Sequence, residues 1–296
     1  MNQPQIAFLG LGVMGAPMTA NLARNGFSVK AWNRTPNRPG IDIAAEAGAT
    51  IVSSIGEAVE SVDAIFTCLG DVPDVEEVIL GSGGVVEKAK PGALVFDFST
   101  IGPNAVKKIA AELESHDIRF MDAPISGGDI GAQKGTLTIM VGGSERDFHG
   151  CLPMFEAMGK NIRLCGPVGS GQAVKLCNQV LCALNLVGLC EAFELAKEQD
   201  IDFNLVVEVC STGAAGSWAL TNLGPKIAES DFAPGFKIEH IIKDLRLVLE
   251  SMEASTRELP GVELSDRFFK LVKELDGNTG GELGTQAMIR AYRENS

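Results

Sequence analysis

The sequence predicts an α/β domain followed by an all-helical domain, the two joined by one long helix. Three observations carry this reading. Short apolar runs suited to buried strands alternate with helical segments as far as Leu164. A glycine-rich turn, GLGVMG, follows the first of those runs directly. Beyond Gly166 only helical spacing remains.

Residues 5–9 (QIAFL) read as a buried strand and residues 14–25 as the helix that follows. A strand, a G-x-G-x-x-G turn and a helix in that order are the signature of a Rossmann-type dinucleotide-binding unit. Gly10 allows the tight turn, Gly12 lets the backbone approach a pyrophosphate, and Gly15 lets helix and strand pack closely. Gly10, Leu11, Gly12, Val13, Met14 and Gly15 are therefore the candidate cofactor loop, with the NH groups of the helix start facing the phosphates. The second strand, residues 28–32, ends at Asn33, Arg34 and Thr35. A carboxylate at this point would bond the ribose 2′-hydroxyl of NAD. Asn33 does not repel a 2′-phosphate, Arg34 can pair with it, and Thr35 can add a hydroxyl, so the expected cofactor is NADP(H).

Two further strands, residues 63–67 and 93–96, carry helices at 72–79 and 103–114. Loops at their carboxyl ends should line the cofactor crevice, which brings in Cys68 and Leu69 and, from the next loop, Thr100. A strand at 118–121 leads into a long loop, DAPISGGDIGAQKGT, with four glycines, and a strand at 137–141 closes it. Ser126, Gly127 and Gly128 can present a concave row of NH groups and a hydroxyl, a receptor for a carboxylate.

The stretch over residues 166–197 opens with the turn formers Gly166, Pro167, Gly169, Ser170 and Gly171; the long helix read after them is rich in Leu and Ala, and Asn178, Gln179, Asn185 and Glu191 interrupt its apolar run. Those interruptions favour a buried helix of a globular protein over a membrane span. Lys175 lies in its first turns, where the helix dipole favours anions, and Asn178 falls three residues on, on the same face. Helices follow at 203–211, 217–223, 238–254, 260–275 and 283–293. The boundary is placed near Gly166, giving a dinucleotide-binding domain over 1–165 and an all-helical domain over 166–296.

Composition narrows the function. The 296 residues are 45% hydrophobic and 21% charged, with a formal net charge of −13 and no run of Lys or Arg. Nucleic acid and anionic membrane are therefore not expected partners, and an anionic ligand must be held by local devices. The seven cysteines form no C-x-x-C pair, the three histidines lie far apart, and no H-E-x-x-H occurs. Neither a metal site nor a Ser-His-Asp triad is expected. The N-terminus shows no signal pattern, so a cytoplasmic protein is expected.

Four motifs stand in order: GLGVMGAPMTANL from Gly10, DAPISGGDIGAQKGTL from Asp122, GSGQAVKLCNQ from Gly169 and FKIEHIIKDLRL from Phe236. Together they resemble the β-hydroxyacid dehydrogenase family, which includes 3-hydroxyisobutyrate dehydrogenase, tartronate semialdehyde reductase and the glyoxylate/succinic semialdehyde reductases. The resemblance implies that Ser126, Gly127 and Gly128 hold a substrate carboxylate and that Lys175 is catalytic, with Asn178 beside it. It places Thr100 and Lys243 near the cofactor, and Phe236 and Asp244 in the pocket, whose shape also depends on Trp218 and Leu220. Gln179 stands where some members carry a second Asn and is given no role. The Asn33-Arg34 pair is similar to the NADPH-using semialdehyde reductases. The implied activity is reduction of a small aldehyde acid such as glyoxylate or succinic semialdehyde by NADPH, with Lys175 as proton donor, in a homodimer or homotetramer. The alternatives are 3-hydroxyisobutyrate dehydrogenase, tartronate semialdehyde reductase, or a catalytically silent NADP(H)-binding protein.

Overall fold

The computed structural model describes residues 4–293, which form two compact units dividing between Lys175 and Leu176. The first unit opens with β1 (Gln5–Leu9), α1 (Gly15–Arg24), β2 (Ser28–Trp32), α2 (Pro39–Glu46), β3 (Thr50–Ile51), α3 (Ile55–Val59) and β4 (Ala64–Thr67). It continues with α4 (Val72–Leu80), α5 (Val85–Lys88), β5 (Leu94–Asp97), α6 (Gly102–Glu114) and β6 (Arg119–Asp122). Then come β7 (Ile125–Ser126), α7 (Gly128–Lys134), β8 (Leu137–Gly142), α8 (Glu145–Met158), β9 (Gly159–Gly166) and the start of α9 (Ser170–Glu198). The second unit holds the rest of α9 with α10 (Phe203–Cys210), α11 (Trp218–Ala228), α12 (Ile238–Met252), α13 (Pro260–Asn278) and α14 (Ile289–Arg293).

The strands are apolar along their whole length because both faces are covered. In β1, Ile6 and Phe8 enter one core layer while Ala7 and Leu9 enter the other; Phe66 and Ile65 of β4 divide in the same way. Among the described residues the strands form one sheet in the order β3-β2-β1-β4-β5-β6-β8-β7, with β9 paired to β8. Pairing from β3 through β6 is parallel throughout, and β8 runs antiparallel to β6 and β7. Strand order reverses at β1, the switch point where a doubly wound sheet opens a crevice at its carboxyl edge.

Several expectations need correction. The stretch read as a loop over 122–136 contains β7 and α7. Its glycines serve particular backbone angles: Gly127 and Gly128 open α7 with φ of +131° and +64°, and Gly135 closes it in the left-handed region. The sequence reading also passed over α2, α3, α5, α8, β3 and β9. Helix α8 runs through Pro153, a residue that reads as a breaker. The long helix starts at Ser170, already inside the run of turn formers read before it; Gly166 ends β9 with φ +138° and Gly169 turns at φ +93°. Helix α11 continues past Leu223 to Ala228, and the segment read as one helix over 283–293 is a 3₁₀ turn, Thr285–Met288, followed by α14.

By length and composition alone α9 could cross a bilayer. Its buried Gln172 and Gln179 are instead hydrogen-bonded within the protein. In the second unit Phe193 of α9 stacks on Phe203 of α10 at 4.5 Å. On α12 the buried residues Ile238, Ile241, Leu245 and Val248 recur at helical spacing, and the same stripe includes a carboxylate, Asp244.

Candidate active site

Strand register brings the sequence-predicted loops of the first unit to one edge. Leu9 is aligned with Trp32 and with Thr67, Thr67 with Asp97, and Asp97 with Asp122. The chain therefore leaves the sheet at Gly10, Asn33, Cys68, Phe98 and Ala123 along a single rim.

The three motif glycines are required for different reasons. A Cβ on Gly10, whose φ is +103°, would lie 2.4 Å from the Cys68 carbonyl oxygen. One on Gly15 would lie 1.9 Å from the Gly10 carbonyl oxygen, so the protein itself demands both glycines. A Cβ on Gly12 would meet nothing within 4 Å. The open space there is what the close approach of a pyrophosphate needs, and α1 starts without a side-chain cap to fill it. The residues present thus fit a dinucleotide. Val13 is exposed, Met14 half-buried and Leu11 buried.

The end of β2 is more committed than its sequence suggests. Asn33 Oδ1 accepts the Leu11 NH at 2.8 Å, and Asn33 Nδ2 donates to the Thr35 carbonyl at 2.7 Å. Both ends of the amide therefore hold the glycine loop and the β2 turn in place. The Arg34 guanidinium pairs with Asp74 Oδ1 at 2.8 Å and Glu77 Oε2 at 3.0 Å, both on α4. Asp74 is itself fixed by the Asp71–Asp74 capping box of that helix.

Beyond β4 and β5 the rim is a buried polar network. Asp97 Oδ1 accepts from Thr67 Oγ1 at 2.8 Å and Ser99 Oγ at 2.6 Å, and the Leu69 NH donates to Ser99 Oγ at 2.8 Å. Gln172 of α9 donates to the Ser99 carbonyl at 2.8 Å and accepts the Ile101 and Gly102 NH groups at 3.1 and 3.0 Å. Thr100 lies between those contacts. Asp122 receives the NH groups of Gly169 at 2.6 Å and Gln172 at 2.8 Å. Burial pushes its carboxyl up to about 6; the two NH groups oppose that rise and neighbouring Asp97 adds to it. Lys175, buried, lies one turn beyond Gln172 on α9. Ser126 ends β7, and the Gly127–Gly128 turn follows it into α7. A Cβ on Gly128 would point into open space.

In the second unit Asn178, Asp244 and Lys243 are joined through Gln179, the residue that sequence reasoning left without a role. Asn178 Nδ2 donates to Gln179 Oε1 at 2.8 Å, Gln179 Nε2 donates to Asp244 Oδ2, and the Lys243 ammonium lies 2.9 Å from Asp244 Oδ1. The signal for Gln179 and Asp244 was a polar residue on a buried helical stripe, which requires a partner. Phe236 is partly exposed and contacts the His240 ring at 5.8 Å; Trp218, at the start of α11, is 68% exposed.

A glycine loop on a doubly wound sheet, with a buried lysine on the helix that leaves it, defines a nicotinamide-dinucleotide-dependent oxidoreductase. Residues 5–166 match the family model described as the NAD binding domain of 6-phosphogluconate dehydrogenase. Residues 169–292 match the one described as NAD-binding of NADP-dependent 3-hydroxyisobutyrate dehydrogenase. The chain is 52% identical to an uncharacterized oxidoreductase of Synechocystis sp., over 99% of this chain and 100% of that one. It is 37% identical to the 2-hydroxy-3-oxopropionate reductase of Escherichia coli, over 97% and 96% of the two chains. The solved 3-hydroxyisobutyrate dehydrogenase of Mycobacterium tuberculosis with L-serine superposes with a TM-score of 0.88 at 31% identity, covering 99% of this chain and 100% of that one. The chain belongs to the β-hydroxyacid dehydrogenase family and is an NAD(P)-dependent hydroxyacid or semialdehyde dehydrogenase.

The buried Asp122 carboxyl makes stability depend on pH. Its folded-state value of about 6 lies above the ordinary 3.8, so its contribution is full below about pH 4 and is lost as pH rises through about 6. Relative to Asp122→Asn, the wild type should lose about 2 kcal/mol of unfolding free energy between pH 4 and pH 7. Urea denaturation of both proteins at pH 4 and pH 7 checks this; a pH-independent difference would contradict it.

Proposed function

We propose that this enzyme reduces a small aldehyde carboxylic acid, such as glyoxylate or succinic semialdehyde, to the hydroxy acid with NADPH. The observation that carries the reading is Lys175, a buried cation on the helix whose first turn is hydrogen-bonded to the carboxyl rim of the sheet. The 2-hydroxy-3-oxopropionate named for the E. coli relative has the same chemistry, an aldehyde and a carboxylate on a short chain.

The bound dinucleotide supplies hydride to the carbonyl carbon. Ser126 and the NH groups of the Gly127–Gly128 turn hold the substrate carboxylate. The Lys175 ammonium hydrogen-bonds the carbonyl oxygen and gives it a proton as the C=O electron pair moves onto oxygen. The neutral amine then regains a proton from solvent. In the reverse direction the neutral amine accepts the hydroxyl proton. Asn178 lies one helical turn past Lys175 and orients substrate, and Gln179 and Asp244 keep it in place.

Arg34 supports NADPH, since no carboxylate stands at the end of β2 to repel a 2′-phosphate. The phosphate must share the guanidinium with Asp74 and Glu77, which sets the preference near the low end of the charged hydrogen-bond range, about tenfold. The second unit exposes Leu181, Leu195, Leu205, Val209 and Trp218, more apolar surface than a monomer ordinarily leaves to water, and supports a homodimer or homotetramer.

Lys175→Ala should lower kcat by about 10² or more while the Kd for NADPH stays unchanged. In a panel scored by kcat/KM, propanal should fall at least roughly tenfold below glyoxylate, succinic semialdehyde and 2-hydroxy-3-oxopropionate, because it lacks the carboxylate. Full activity of the lysine variant, or propanal turned over as well as the acids, would refute the mechanism.

For the cofactor, Arg34→Ala should abolish the NADPH preference. Asp74→Asn with Glu77→Gln should tighten NADPH by about two- to fivefold and leave NADH alone, an exposed ion pair being worth about 0.2–1 kcal/mol. Fluorescence titration with both reduced cofactors measures this, and equal affinities in the wild type would overturn it. Light scattering at micromolar concentration should give a mass of two or four chains; a monomer would contradict the assembly.

A further inference from the structure

We propose that Asp122 and Gln172 are positioning residues for proton transfer: they clamp the first turns of α9 so that Lys175 is held against the loop bearing Thr100. This rests on the reading of Lys175 as the proton donor.

The start of a helix leaves backbone NH groups without intrahelical partners. Around the start of α9 one carboxylate takes two of them, and it comes from the end of β6, 47 and 50 residues earlier in the chain. The fit is close on every side. A Cβ on Gly171 would lie 2.2 Å from the Met140 carbonyl oxygen and 2.8 Å from Asp122 Oδ2. One on Gly142 would lie 2.3 Å from Asp122 Oδ1. The helix start therefore has no room to slide along β8 or to turn about its axis.

Gln172 fixes the second coordinate. Fully buried, it bonds the Ser99 carbonyl and the NH groups of Ile101 and Gly102, so its amide grips the loop on both sides of Thr100. It also caps α6, which has no side-chain cap of its own. Ser99 in turn is tied to Asp97 and to the Leu69 NH. One amide thus connects the loops after β4 and β5 to the helix that carries the lysine. Lys175 follows Gln172 by three residues, on the same face of α9.

The Lys175 side chain is buried, which restricts its four rotatable bonds, so where its ammonium lies depends on where its Cα is held. Misplacement by about 1 Å can cost about 10²-fold in rate. A clamp acting only through Lys175 has a consequence that a merely structural contact lacks: once the lysine is gone, breaking the clamp costs nothing further in kcat.

The test is a double-mutant cycle on the full chain. Gln172→Leu and Asp122→Asn are made singly and in the Lys175→Ala background, with kcat at saturating glyoxylate and NADPH, KM for each, and NADPH affinity by fluorescence titration. Each single variant should lower kcat about tenfold, with NADPH affinity within about twofold of wild type. Added to Lys175→Ala, each should change kcat by less than about twofold. Wild-type kcat in both single variants, or losses that multiply fully in the double variants, would overturn the clamp while leaving an inactive Lys175→Ala to uphold the donor. Near-full activity of Lys175→Ala alone would overturn the donor and the clamp with it. Asp122→Asn keeps the shape of the side chain and decides the matter if Gln172→Leu does not fold.

Discussion

The contact between Gly15 and the carbonyl oxygen of Gly10 is the constraint on which the cofactor half of this enzyme depends. A single added carbon on Gly15 would lie 1.9 Å from that oxygen. With glycine at both positions, α1 follows the end of β1 directly, at the switch point of the sheet. Asn33 then ties the turn to the end of β2 through the Leu11 NH, and the Gly10 NH bonds the Trp32 carbonyl at 2.9 Å. One close approach thus sets the geometry of the turn to which the ends of β1 and β2 are both tied.

Buried polar groups gather along the carboxyl rim of the first unit's sheet. Thr67, Asp97, Ser99, Asp122, Gln172 and Lys175 are all buried, on that rim or on the start of α9 that follows it. Taking such groups out of water costs stability unless each is bonded, and hydrogen bonds of 2.6–2.8 Å engage Thr67, Asp97, Ser99, Asp122 and Gln172. Asp122 shows the limit: two NH donors do not outweigh its desolvation, and its carboxyl stays near 6. An apolar cluster of the same shape would be cheaper to bury, but it would have no donors or acceptors to tie the loops after β4 and β5 to the start of α9.

Much of the fold was legible because both faces of each central strand are covered. Continuous apolar runs such as QIAFL and ALVF then have no competing interpretation, and the glycine turn between strand and helix fixed the type of unit. The stretch 122–136 was not legible as structure, since glycine density reads as a loop even when the glycines serve the two ends of a short helix. Helix α8 was hidden by its proline and by a short apolar repeat. At the site, Lys175 stood out as a cation at the wrong end of a helix. Gln172 did not, because an amide in a helix start carries no electrostatic signal; only its three partners, about 70 residues away in sequence, reveal it. Asn33 was legible as a residue without charge but not as a brace, since its bond to Leu11 depends on a turn 22 residues earlier.

The division inside α9 bears on what can be separated from what. The two family models part between residues 166 and 169, yet the first compact unit extends to Lys175. A chain ending at Gly166 would leave both Asp122 oxygens without the amides of Gly169 and Gln172, and the amides of Ile101 and Gly102 without an acceptor. The dinucleotide-binding portion is therefore not a self-sufficient module at its sequence border. Excision of that portion with its own plug in place requires a cut beyond Lys175, inside a continuous helix.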